Sequence, residues 1–227
     1  MIITLTGFMG CGKSSVGRRL SQLLCCRFMD LDSAIEEREG RSVQEIFAME
    51  GEGAFRAMEL ETLETLTGAS LCVHSDEDMS LSVQEGNGID PMYSRGPLPQ
   101  SGPLPLAGGG RMPLSYYWVN TSDSRDVKSD VLVLALGGGT VMTPECERII
   151  RENTCCIYLK ASVETLIEHL DNEADKRPLL SGGELRTQIE SLLSRRSATY
   201  ERTAHMIIDT DGKTVDEIAS AIYQRGA

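Results

Sequence analysis

Residues 7–14, GFMGCGKS, restrict the fold of this chain more than any other segment, because they match the pattern G-x-x-x-x-G-K-[ST] at every fixed position. The segment lies between an apolar run at Ile2–Thr6, which predicts a strand, and a helical pattern at Lys13–Leu24. A glycine-rich loop in this setting points backbone N–H groups at phosphate oxygens, and the helix that follows adds its positive end. The sequence therefore predicts a phosphate-binding loop (P-loop) at the start of an α/β fold.

The residues of the P-loop are expected to bind ATP together with Mg²⁺. The Lys13 ammonium is predicted to reach the β- and γ-phosphates, and the Ser14 hydroxyl is predicted to be one ligand of the metal. The complete predicted nucleotide site in the loop comprises Gly10, Cys11, Gly12, Lys13, Ser14 and Ser15. ATP and Mg²⁺ are thus the expected cofactors.

Two carboxylates lie at the end of the second predicted strand, residues 27–31. Residues i and i+2 of a strand face the same way, so Asp30 and Asp32 are expected to project together from the carboxyl edge of the sheet, where open α/β sheets bind ligands. Asp30 is a candidate for the Mg²⁺ hydration shell, and Asp32 for the acceptor hydroxyl. The alternative is a pair of helix-capping acids, because Asp is common at helix starts.

Strand and helix patterns alternate along most of the chain. Apolar runs at 131–136, 155–159 and 205–208 predict buried strands, and helical patterns separate them. This alternation predicts a parallel sheet flanked by helices. The 227 residues are expected to form a single domain with a core at 1–67 and 130–227.

Residues 68–129 interrupt this alternation. They hold six of the eight prolines in the chain, including the stretch GPLPQSGPLP at 96–105. A segment of this composition buries too little apolar surface to offset the entropy of ordering its backbone. We expect a long, flexible Pro/Gly-rich insertion, in which the aromatic run at 116–118 is the part best able to dock on the body or on a partner.

The charge and cysteine content exclude several classes of protein. The formal net charge of −12 would repel a nucleic acid backbone, and no apolar run is long enough to span a membrane. Seven cysteines without a C-x-x-C spacing argue against a disulfide framework and against a zinc site. We therefore expect a cytoplasmic monomer with a small-molecule partner and neither nucleic acid nor membrane as a partner.

Several motifs in register resemble the shikimate kinase family. They are the P-loop, Asp30-x-Asp32, Gly40-Arg41-Ser42 with Ile46-Phe47, the run G-E-x-x-F-R-x-x-E at 51–59, the triple glycine at 137–139 and Arg177-Pro178-Leu179. The resemblance covers 1–67 and 130–227. It implies a nucleoside-monophosphate-kinase-like P-loop fold and an enzyme that transfers the γ-phosphate of ATP to the 3-hydroxyl of shikimate in aromatic amino-acid biosynthesis.

The resemblance also implies a substrate site. Asp32 would hydrogen-bond the hydroxyls of shikimate, and the backbone of Gly138 would face the same ring. Arg56 and Arg196 would bind the carboxylate, a role that suits a planar guanidinium because it offers two parallel hydrogen bonds. Surface salt bridges with Glu52 and Glu59 are the alternative for Arg56.

Further residues are implied for the nucleotide and the transferred phosphate. Arg177, in a lid at 171–183, resembles the arginine that reaches the moving phosphate, so Lys13, Asp32 and Arg177 form the predicted catalytic set. Lys213 occupies the position of the adenine loop. His169 stands where many family members stack an arginine on the adenine, which is a departure from the family pattern.

Two alternative functions remain open from the residues alone. A kinase of gluconate or of a nucleotide would share the P-loop and the lid, but a nucleotide acceptor would need a base pocket instead of Arg56 and Arg196. A non-catalytic ATP-binding regulatory protein would use the 68–129 segment for partners. The residues whose joint presence argues against lost turnover are Lys13, Ser14, Asp30, Asp32, Arg56 and Arg177.

Overall fold

The computed structural model describes residues 1–69, 131–170 and 185–226. The strands in these ranges are β1 (Ile2–Thr6), β2 (Arg27–Asp30), β3 (Leu132–Ala135), β4 (Cys155–Lys160) and β5 (Met206–Asp209). The helices are α1 (Lys13–Leu24), α2 (Leu31–Glu39), α3 (Val43–Thr67), α4 (Pro144–Asn153), α5 (Val163–Leu170), α6 (Leu185–Thr203) and α7 (Val215–Gln224), with a 3₁₀ turn at Thr140–Met142. These bounds lie within a few residues of the predicted ones.

The five described strands form one parallel sheet in the order β2-β3-β1-β4-β5. β1 lies in the middle, paired with β3 on one side and β4 on the other. The chain leaves the end of β1 at the point where the strand order reverses, and in open α/β sheets the ligand crevice lies at this point. The topology therefore places the P-loop, which follows β1, at the expected ligand-binding edge, and it confirms the predicted parallel sheet.

The central strands supply the core. Ile3 and Leu5 of β1, Val133 of β3 and Ile157 of β4 are fully buried. Helices cover the sheet, with α1 packed against α7 and α5 against α6. Because both faces are covered, the inner strands read as continuous apolar runs, which is the pattern that predicted them.

The long helix α3 is bent at Gly51, whose φ of 83° and ψ of 172° are not helical. Glycine takes a positive φ at little cost, so the chain changes direction here without strain. A capping box between Ser42 and Glu45 fixes the start of α3. The part of α3 after the bend carries Arg56 and Glu59, so the bend sets the direction from which these side chains approach the site.

Residues 70–130 and 171–184 lie outside the described residues. The predictions for the flexible insertion at 68–129, for the lid at 171–183 and for Arg177 therefore stay predictions. None of the helices described for 1–69, 131–170 and 185–226 is long and apolar enough to cross a membrane.

Candidate active site

The P-loop presents a helix start with a glycine N-cap, and a cation. Gly12 is the N-cap of α1 with a left-handed φ of 88°, and it has no side chain that could cap the first amides of the helix. The Lys13 Nζ donates to the carbonyl oxygens of Gly7 and Phe8, at 2.9 Å each. These two bonds fold the ammonium back over the loop. The loop, the helix dipole and Lys13 together form a site for a polyanion.

The Ser14 hydroxyl and the Asp30 carboxylate meet beside the loop. Ser14 Oγ donates to Asp30 Oδ2 at 2.5 Å, while Asp30 Oδ1 accepts from the backbone N–H of Ser33 at 3.3 Å and caps α2. The capping alternative is therefore correct for one oxygen of Asp30. Its other oxygen and the Ser14 hydroxyl are hard ligands of the kind that Mg²⁺ prefers. Within the described ranges, no cluster of three or more His, Cys, Asp or Glu side chains could hold a metal by itself.

The placement of Asp32 on a strand was wrong. β2 ends at Asp30, and Asp32 lies in the first turn of α2. Its Oδ1 is buried and has no hydrogen-bond partner among the residues that the structure describes. A β-carbon on Gly137 would lie 2.6 Å from this oxygen and 2.8 Å from Oε1 of Glu59. The two carboxylates thus converge on one point, which only a glycine leaves open.

The surroundings of Asp32 favour its neutral form. Burial raises the pKa of Asp32 to about 7, and the negative charges of Glu59 and Asp30 act in the same direction. The positive charges of Lys13 and Arg56 oppose this rise. A carboxyl group with a pKa near neutrality is suited to orient a hydroxyl and to accept its proton.

Arg56 is held in place by two carboxylates. Its Nη1 donates to Glu59 at 2.6 Å and its Nη2 to Glu52 at 2.8 Å. Glu59 is fully buried and also accepts from the Thr140 hydroxyl. A β-carbon on Gly139 would lie 2.7 Å from the Arg56 Cζ, so the guanidinium packs on the backbone there. The alternative that Arg56 forms salt bridges with Glu52 and Glu59 is therefore correct. The salt bridge with Glu59, however, is buried and does not lie on the surface.

Arg196 and Tyr200 both bind the backbone of Gly138, which is next to the Gly139 backbone on which Arg56 packs. Arg196 Nη1 donates to the Gly138 carbonyl at 3.2 Å, and the Tyr200 hydroxyl donates to the same oxygen. Tyr200 is fully buried and stacks on Tyr158, with ring centroids 5.2 Å apart. A β-carbon on Gly138 would lie 3.2 Å from the Met9 backbone nitrogen, so this stretch also touches the P-loop.

We call residues 137–139 the glycine turn. It brings together the predicted substrate residues Asp32, Arg56, Gly138 and Arg196, and its neighbour Met9 belongs to the P-loop. Glu59 and Thr140 were not predicted as site residues. The i, i+3 spacing of Arg56 and Glu59 could have indicated Glu59. Nothing in the sequence indicated Thr140.

Two further nucleotide candidates, Lys213 and His169, lie on the loop after β5 and at the end of α5. Lys213 follows β5, and its Nζ donates to the Asp209 carbonyl at 2.8 Å. Its loop is tied to the loop after β4, because Asp211 accepts from the backbone N–H of Ser162 at 2.9 Å. His169 ends α5, with its Nδ1 2.7 Å from the Gly10 carbonyl oxygen in the P-loop.

Comparisons with known sequences identify the family of this chain. The family model for shikimate kinase matches residues 9–76 and 125–226. The shikimate kinase of Thermus thermophilus is 32% identical over 223 residues, which cover 98% of this chain and 88% of that protein. The shikimate kinase of Dictyoglomus turgidum is also 32% identical, over 98% of this chain and 95% of its own length.

Comparisons with solved structures agree with the fold. The shikimate kinase from Acinetobacter baumannii, solved in complex with shikimate, has a TM-score of 0.68 and 25% identity, covering 99% of this chain and 91% of that one. The Bacteroides thetaiotaomicron shikimate kinase, at 20% identity, shares the fold with a TM-score of 0.65, covering 99% of this chain and 97% of that one. The nucleoside-monophosphate-kinase-like P-loop fold is thereby confirmed.

Proposed function

The chain belongs to the shikimate kinase family and is an ATP-dependent kinase that phosphorylates shikimate, and we propose that the P-loop and the glycine turn carry out this transfer with the residues described above. The observation that carries the proposal is the convergence of Asp32, Arg56 and Arg196 on the glycine turn, which in turn touches the P-loop. This geometry puts candidate carboxylate binders and a candidate base next to a phosphate site.

The donor half of the reaction uses the P-loop. Lys13 and the amides at the start of α1 neutralise the β- and γ-phosphates of ATP. Ser14 and Asp30 are the residues that would hold Mg²⁺ beside the loop. The metal would supply positive charge that offsets the negative charge developing on the phosphates during transfer. The hydrogen bond between Ser14 and Asp30 supports this assignment, because it brings both oxygens to one place.

The acceptor half uses the glycine turn. Arg56 and Arg196 bind the carboxylate of shikimate, and the Gly138 amide faces its ring. Asp32 orients the attacking hydroxyl and accepts its proton late in the transfer. Phosphoryl transfer passes through a loose transition state, so positioning and neutralisation of charge supply most of the catalysis. The rigid seating of Arg56 between Glu52 and Glu59 supports its role as a preorganised binder.

Two further assignments rest on sequence position. Arg177 is the third proposed catalytic residue, on the strength of the motif Arg177-Pro178-Leu179. Lys213 is proposed to line the adenine site, and its place in the loop after β5 supports this.

We also propose a cytoplasmic monomer. The free thiols of Cys11, Cys146 and Cys156 support the reducing compartment.

The Arg56→Lys variant tests the acceptor site. We expect the KM for shikimate to rise about tenfold or more with little change in the KM for ATP, since a point charge cannot replace a bidentate fork. Steady-state kinetics with each substrate varied in turn measures the KM for shikimate and the KM for ATP separately. Arg202→Lys is the matched control, because Arg202 pairs with Glu147 on the protein surface. Equal KM values in the wild type and Arg56→Lys would remove Arg56 from the substrate site.

The Thr140→Val variant tests whether the hydrogen bond from Thr140 to Glu59 helps to position Arg56. The change keeps the side-chain shape but leaves Oε1 of the buried Glu59 without the Thr140 hydroxyl. We expect the KM for shikimate to rise about threefold to tenfold, with a smaller change in kcat, because a lost hydrogen bond to a buried charge loosens the ion pair. Thr140→Ser should restore the wild-type KM. Thr203→Val, at a buried threonine whose hydroxyl donates to the Thr199 carbonyl, is the control for the loss of a buried hydroxyl elsewhere.

A further inference from the structure

His169 makes a directed contact with the P-loop. Its Nδ1 lies 2.7 Å from the carbonyl oxygen of Gly10. A carbonyl oxygen can only accept a hydrogen bond, so Nδ1 carries the proton and donates it. His169 therefore holds one end of the peptide group that joins Gly10 to Cys11.

The other end of that peptide group faces the interior of the loop. The C=O and N–H of a trans peptide point in opposite directions, and none of the described peptide bonds is cis. The Cys11 N–H accordingly points away from His169 and donates to the Phe8 carbonyl at 3.3 Å, a long hydrogen bond. The Lys13 Nζ donates to the same Phe8 carbonyl, so this N–H faces the side of the loop that holds the Lys13 ammonium, where the phosphates are expected.

The peptide group needs this restraint because a glycine precedes it. Gly10 has a φ of 80°, and glycine populates both signs of φ at similar cost, so the peptide can turn over easily. The residue next to His169 adds a second restraint, because a β-carbon on Gly10 would lie 2.8 Å from the Leu170 Cγ. Two consecutive residues of α5 thus fix this part of the P-loop.

We propose that His169 is a positioning residue for phosphate binding, which keeps the Gly10–Cys11 peptide turned so that the Cys11 N–H faces the phosphates. The proposal rests on the phosphate-binding role of the loop given above. It differs from a platform for the adenine ring, because the effect acts on the phosphates and is the same for any base. It also differs from a direct contact, because the ring meets the carbonyl side of the peptide.

Binding of two probes separates these roles. Titration calorimetry gives the Kd of ADP and of inorganic tripolyphosphate, which has no base, for the wild type, His169→Ala and His169→Asn. We expect His169→Ala to weaken both probes by the same factor, about fivefold to tenfold, as for one lost hydrogen bond. His169→Asn should recover most of the loss, because its amide N–H can donate to the same carbonyl.

Two further variants serve as controls. His205→Ala removes an exposed histidine whose Nδ1 accepts from the Cys156 N–H near the start of β4, whereas the P-loop follows the end of the parallel strand β1. This variant should bind both probes as the wild type does. Lys13→Ala tests the loop itself. If it binds tripolyphosphate as tightly as the wild type, the phosphate role of the loop fails and the inference with it.

If Lys13→Ala loses tripolyphosphate and His169→Ala does not, the inference alone is overturned. A loss of ADP affinity in His169→Ala without any loss of tripolyphosphate affinity would likewise overturn it, in favour of a base platform. An Asn variant as weak as the Ala variant in both probes would contradict the hydrogen bond as the cause.

Discussion

Lys13→Ala is expected to abolish turnover, with kcat reduced by about 10³-fold or more. Its ammonium is held over the P-loop by the Gly7 and Phe8 carbonyls, and no other described cation is seated in that loop. The variant therefore loses the charge that we propose the loop places on the β- and γ-phosphates. A coupled assay of ADP release at saturating ATP and shikimate measures the effect.

Lys160→Ala is the matched control for that variant. Lys160 pairs with Glu201 at 2.9 Å on the protein surface, so its removal should leave kcat unchanged. Near-normal turnover in Lys13→Ala would exclude the P-loop as the site of ATP. The melting temperatures of the two variants should match that of the wild type to within a few degrees, which separates loss of chemistry from loss of fold.

Asp32→Asn is expected to lower kcat by about 10²-fold or more with little change in the KM for ATP. The substitution keeps the shape of the side chain but removes the charge that we propose orients the acceptor hydroxyl and accepts its proton. In the wild type, kcat/KM for shikimate should rise with pH, because burial raises the pKa of Asp32 to about 7 and the residue must be ionised to act. The variant should lose that rise. An unchanged kcat, or a pH profile that keeps its rise, would exclude Asp32 from this role.

The same residue makes a prediction for stability. The pKa of Asp32 in the folded protein, about 7, lies above its ordinary value of 3.8, so folding favours the protonated form. The stabilisation from this group is complete below pH 4 and is lost as pH rises through 7. Asp32→Asn, which cannot ionise, should therefore melt higher than the wild type at pH 8 and at the same temperature at pH 4. Thermal melts of the ligand-free proteins at both values check this.

The P-loop could be predicted from sequence because its geometry is local. The glycines, Lys13 and Ser14 lie within eight consecutive residues, and the flanking strand and helix have the predicted bounds. Asp32 was misplaced because the sequence does not show whether residues 31 and 32 continue β2 or begin α2. Asp30 caps α2 through the Ser33 N–H, which ends β2 one residue early and turns Asp32 into the helix.

The contacts that position the proposed substrate residues could not be predicted in the same way. Thr140 meets Glu59 across 81 residues of sequence, and Arg196 meets Gly138 across 58. The family resemblance identified Arg56, Arg196 and Gly138 as candidate site residues, but it did not indicate these contacts. The glycine turn becomes a site only because the sheet order places β3 beside both β1 and β2.

The central claim is that the P-loop and the glycine turn together transfer phosphate from ATP to shikimate. The most direct test compares ADP release by the purified protein with shikimate, gluconate and the common nucleoside monophosphates as acceptors. We expect ADP release to depend on shikimate, with one phosphorylated shikimate formed for each ADP, and to be negligible with the other acceptors. Equal or faster release with gluconate or a nucleoside monophosphate, or release at the same rate without shikimate, would contradict the claim.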